Sequence, residues 1–199
     1  MMKRVFLAGT LMLSMFAGIS NAALISAGTV TGTGTFFNSA SLINDGVLPV
    51  EATGWTQPTN VYWNGTVPKF TLDFGGLYNI DDVLVSADLN DSYEVAYSTD
   101  LLSWANLFTI DIADGEINPY GMDTMSTNSA NTEYEAGIEF SSVQARYLRI
   151  EATGGDNSYS IGELQAFGSA AASVPEPSIL AIFGLGIAGL GFVRRRRQT

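Results

Sequence analysis

The chain has 199 residues, 46% of them hydrophobic, with nine basic and twenty acidic side chains, no histidine and no cysteine. The absent histidine removes the commonest general base, the usual zinc ligand and the Ser-His and Cys-His nucleophile pairs, and the absent cysteine excludes disulfide staples. Six basic residues lie at the two ends, so residues 23–174 carry Lys69, Arg146 and Arg149 against nineteen acids, a net charge of −16 that offers nucleic acid no basic footprint.

Lys3 and Arg4 open the chain, residues 5–19 are an apolar run, and Ser20, Asn21 and Ala22 are small. This order predicts a signal peptide over residues 1–22, cleaved by signal peptidase after Ala22, the alternative being a retained anchor. Residues 23–168 then suffice for one domain with a real core.

Within that domain apolar residues recur at period two, and turn residues arrive every eight to twelve positions, which predicts an all-β sandwich. Residues 29–35 read as an edge strand. Phe70, Leu72 and Phe74 alternate with polar neighbours until Gly75-Gly76 ends the run. Further strands are predicted at Val83 to Val85, at Tyr93, Val95 and Tyr97, and at Phe108, Ile110 and Ile112 before the Asp114-Gly115 turn. Ile138 with Phe140, Leu148 with Ile150, and Leu164 with Phe167 complete the set, while residues 118–131 read as a long polar loop. Residues 169–173 are a linker rich in Ala and Ser.

Trp55 and Trp104 flank strands and are expected in the core. Tyr62, Trp63 and Asn64 fall in a predicted loop, where aromatic faces beside amides suit sugar rings, though the same aromatics could instead cap the core. Tyr120 and Tyr159, beside Asn or Asp in predicted loops, are further carbohydrate-binding candidates. Asp88-Leu89-Asn90-Asp91 begins like an EF-hand loop, but Tyr93 stands where that loop needs glycine and Thr99 occupies its twelfth position, so the reading is rejected. Arg146 and Arg149 are expected in bridges to neighbouring acids.

At the C-terminus, over residues 174–199, Val174, Pro175, Glu176 and Pro177 precede sixteen apolar or small residues, 178–193, and then Arg194, Arg195, Arg196 and Arg197. As a short hydrophobic helix this span reaches about 24 Å, against a hydrocarbon core of about 30 Å. The arginines hold it cytoplasm-side and present Pro-Glu-Pro outside, a transient membrane association. The arrangement resembles the PEP-CTERM sorting signal of Gram-negative bacteria, which implies processing by an exosortase and delivery to the cell surface or matrix.

Six pieces in order resemble the discoidin or coagulation-factor type C domain. They are Asn44-Asp45-Gly46, Thr53-Gly54-Trp55, the strand from Phe70 to Gly76, Tyr97-Ser98-Thr99-Asp100 with Trp104, Ala145 to Ile150, and Ser160 to Leu164. Leu101 replaces the hairpin glycine, and the spacer from Asp45 to Thr53 is longer than usual. The resemblance implies a galactose-binding-like jelly-roll β-sandwich and one structural calcium at Asp45 and Glu163; alternatively Asp45 only shapes its turn and Glu163 pairs with Arg146 or Arg149. The expected function is that of an exported, non-catalytic surface or biofilm-matrix protein binding extracellular polysaccharide through sandwich loops. The alternatives are a purely structural or adhesive matrix component and, third, a glycoside-active enzyme, for which no local motif selects a carboxylate pair.

Overall fold

The computed structural model describes residues 22–26, 28–115 and 121–172, which form nine strands and two 3-10 turns. The predicted cleavage site's upstream run, Tyr120 and the sorting signal with its arginines lie outside the described residues. The strands are β1 (Ala23–Ile25), β2 (Thr29–Thr33), β3 (Val61–Asn64), β4 (Lys69–Asp88), β5 (Ser92–Ser98), β6 (Ala105–Ile110), β7 (Met122–Ser126), β8 (Val143–Gly154) and β9 (Ser158–Ala170). Every pairing between them is antiparallel.

Strand β4 belongs to both layers of the sandwich. Residues 69–73 lie between β2 and β8, and after a register shift between Asp73 and Tyr78 the strand continues beside β9 and β7. Gly75 (φ +75°) supplies the left-handed residue of that bulge, and its N–H donates to Asp73 Oδ1 at 2.8 Å. The predicted strand end at Gly75-Gly76 is therefore a bend inside one long strand. Alternating burial before the bend and continuous burial over residues 83–88 after it place Phe70, Leu72, Val83 and Val85 in one core with Val95, Leu148, Ile150, Ile161 and Leu164.

The edge strand predicted over residues 29–35 is present as β2. Three local expectations are overturned. Residues 122–126, predicted as loop, form β7, every residue of which is buried; Met122 and Met125 fill core space that the predicted pattern sought from aliphatics. Ile112 lies beyond β6 and is 60% exposed. Ile138 ends a 3-10 turn, Ala136–Ile138, in place of the predicted strand, and Phe140 beyond it stacks on Phe108 at 5.9 Å. The expected linker also starts later, since β9 continues to Ala170.

Candidate functional site

Among the described residues, strand residues and connecting loops line two concave sites. The first is a cavity lined by Ser26, Asn44, Asp45, Gly46, Glu163 and Gln165. Asp45 ends the 3-10 turn Ala40–Asn44, its Oδ1 accepts from the Val47 N–H at 2.9 Å, and Gly46 takes φ +81° to close the turn. The Gly46 N–H reaches Glu163 Oε2 at 3.2 Å, while Oε1 of this fully buried carboxyl has no hydrogen-bond partner. Burial raises Glu163 to about 7, and the charge of Asp45 pushes the same way. Glu163 has no arginine beside it. Arg146 is held by Asp73 at 2.8 Å, and Arg149 by Glu151 at 3.1 Å with its guanidinium over Trp104 at 4.4 Å. That removes the ion-pair reading of Glu163 and bears out the bridging of both arginines.

The second site is a cleft of about 180 Å³ lined by Gly54, Trp55, Asp88, Asn90, Gly121 and Asp156. Its floor is made by backbone pairing: Ala52 N–H donates to Met122 O and Met122 N–H to Thr53 O, both at 2.9 Å, and Leu89 N–H to Gly121 O at 3.1 Å. Buried Asn60 donates to the Trp55 carbonyl at 3.3 Å, and Trp55 meets Tyr62 edge-on at 5.4 Å, which leaves the indole half-buried at the rim. Asp88, at the end of β4, is 2% exposed and its Oδ1 has no partner. Asp91, in the turn into β5, is fully buried; its Oδ1 accepts from the Asp156 N–H at 3.0 Å and its Oδ2 has no partner. A Cβ at Gly155 (φ +135°) would collide with this Asp91 carboxylate, so glycine is required for the approach. Burial lifts Asp88 to about 6 and Asp91 to about 7; the charge of Asp156 acts on both, and that of Asp88 on Asp91.

The predicted carbohydrate-binding group is dispersed by this geometry. Trp63 and Tyr159 are core residues, 0% and 2% exposed, with ring centroids 6.0 Å apart, because residues 61–64 are strand β3 registered on β9 and not a loop. They cannot offer a face to a sugar. Tyr62 is half-buried and stacks on Phe37 at 4.9 Å, and Asn64 is exposed at the strand end, donating to the Asn157 carbonyl at 3.0 Å. Conversely Trp55 and Trp104, expected in the core, are half-buried. The residues that sequence reasoning missed are Trp55, Asp88, Asn90 and Asp156. Their signal was a polar Asp-x-Asn-Asp turn between two apolar strands, which the failed EF-hand comparison set aside.

The antiparallel β-sandwich has the galactose-binding-like fold. Residues 25–164 match the F5/8 type C domain, and the chain belongs to that family. Residues 173–197 match the PEP-CTERM protein-sorting motif, which marks the chain for export and surface association in Gram-negative bacteria and implies exosortase processing. Among solved structures, an f-lectin (fucolectin) from striped bass serum, Morone saxatilis, superposes with a TM-score of 0.57 at 15% identity, over 78% of this chain and 52% of the lectin. A Clostridium perfringens module, CpGH89CBM32-5, in complex with GalNAc-β-1,3-galactose, gives 0.48 at 17% identity over 73% of this chain and all of the module. The CBM32 of AlyQ in complex with 4,5-unsaturated mannuronic acid gives 0.47 at 18% identity over 72% and 97%. The sequence matches no curated protein.

Proposed function

We propose that this is an exported, non-catalytic cell-surface or biofilm-matrix protein that binds extracellular polysaccharide through the Trp55 cleft. The observation that carries the reading is a half-exposed tryptophan that lines one cleft with Asp88, whose Oδ1 no protein group satisfies. An apolar ring face with convergent polar groups is what sugar recognition requires. The likeness to a fucolectin supports the same reading at the level of fold. The sorting motif delivers the domain: residues 178–193 hold it in the membrane until an exosortase releases it.

A glycan array probed with the full chain and with Trp55→Ala tests this. Binding by the wild type and its loss in Trp55→Ala, with an unchanged melting temperature, is the expected result. A wild type that binds no glycan leaves the structural-matrix role in its place.

We propose also that the first cavity holds one structural calcium. The carboxyls of Asp45 and Glu163 line it, and buried Glu163 has a carboxylate oxygen with no hydrogen-bond partner, which suits a hard cation. Two carboxyls, Asp45 and Glu163, would act with neighbouring carbonyls, and the ion would tie the Asn44-Asp45-Gly46 turn to β9. Chelator should lower the melting temperature and calcium restore it, since a ligand of the folded state alone stabilises it by mass action. Glu163→Gln should erase that difference. Identical melting curves with chelator and with calcium would rule the ion out.

A further inference from the structure

The cleft's charge narrows the class of sugar. Asp88 and Asp156 line it, and Asp91 lies behind them within range of both charges. The described domain has three cations, and all are engaged elsewhere: Lys69 and Arg149 with Glu151, Arg146 with Asp73. No cation among the described residues therefore offsets the cleft. A neutral sugar would satisfy acceptors with its hydroxyls and leave the charge unbalanced, and an acidic sugar would add repulsion. An ammonium does both jobs, since one of its N–H groups can meet the unpartnered Asp88 Oδ1 and its charge offsets the carboxylates.

A metal ion is the competing cation, and it would leave the aromatic face unused. Trp55 at the rim favours the ammonium, since its face suits both the sugar ring and the cation. The volume of about 180 Å³ lies below the range of about 300–1,000 Å³ typical of pockets for larger ligands, which fits a single ring.

We infer that the cleft selects glycans bearing a free amino sugar, one whose nitrogen is not acetylated, with Asp88 accepting from the ammonium, Asp156 as a second acceptor at the rim and Trp55 packing on the ring. The inference rests on the carbohydrate-binding reading and deepens it.

The test is calorimetric titration of the full chain with three tetrasaccharides of one linkage, built from glucosamine, from N-acetylglucosamine and from glucose. The glucosamine form should bind at least about tenfold more tightly than the other two. Asp88→Asn and Asp156→Asn should each remove most of that preference, and Trp55→Ala should weaken binding of the glucosamine form. Asp156 is exposed, so its variant tests the idea even where Asp88→Asn alters the fold. Equal or tighter binding of the acetylated or neutral form overturns the inference and leaves carbohydrate binding standing. Binding of none of the three overturns it too, and the glycan array then decides the broader reading. Glucosamine binding untouched by Trp55→Ala would be diffuse attraction to an acidic surface and would equally overturn it. Calcium uptake abolished by Asp88→Asn would assign these carboxylates to a metal, with the same consequence.

Discussion

Trp63→Ala is expected to lower stability by about 3–5 kcal/mol, a large share of the roughly 5–15 kcal/mol that holds a typical domain together. Trp63 is fully buried, with Phe70 at 5.0 Å and Tyr159 at 6.0 Å, and truncating it opens a cavity between β3, β4 and β9. For a domain of this size the melting temperature should fall by roughly 10 °C or more. Trp63→Phe should cost less, because it keeps an aromatic in the same space and removes an indole N–H that has no partner. The contrast with Trp55→Ala is the informative part: one tryptophan is expected to carry stability and the other binding. A Trp63→Ala variant as stable as the wild type would mean that β3 does not pack as described.

The second large effect is on pH. Asp88 and Asp91 have folded-state values raised to about 6 and about 7 by burial, above an ordinary 3.8. Between these limits the folded protein binds more protons than the unfolded chain, so stability should fall as pH rises from about 4 to about 7. A shift of the size seen at Asp91 corresponds to roughly 3 kcal/mol or more over that window. Glu163, also raised to about 7, adds the same sign when a chelator keeps metal away. Repulsion within an acidic domain adds to it as carboxyls ionise. Asp73 runs the other way: Arg146 holds it below its ordinary value, so its contribution is present above about pH 4 and lost as pH falls further. The maximum should therefore lie near pH 4, and urea unfolding across pH 3 to 8 would show it. Asp91→Asn should flatten the fall above pH 4. A wild-type stability that climbs steadily from pH 4 to 7 would contradict the burial of these carboxyls.

The address of the chain and its fold family were written locally. Prolines around Glu176, an apolar span of defined length and a run of arginines each act through chemistry confined to a few neighbouring residues, and so did the Asp45-Gly46 turn and the period-two strands. Asp45 and Glu163 were also brought together correctly, because the resemblance supplied a pairing across the sandwich that spacing alone would not. The split of the tryptophans was decided by tertiary structure. Trp63 sits in a polar-looking hexapeptide that reads as loop, yet its register against Tyr159 on β9 turns it inward, while Trp55 is held at the rim by Asn60 and Tyr62. Side-chain direction in a strand depends on which partner it pairs with, and a shift of one residue reverses it. The acidic cleft has the same origin. Asp88 and Asp156 are 68 positions apart in the chain and become neighbours only because the turn after β4 and the turn before β9 meet beside Gly121, where burial, which no short window of sequence reports, raises Asp88.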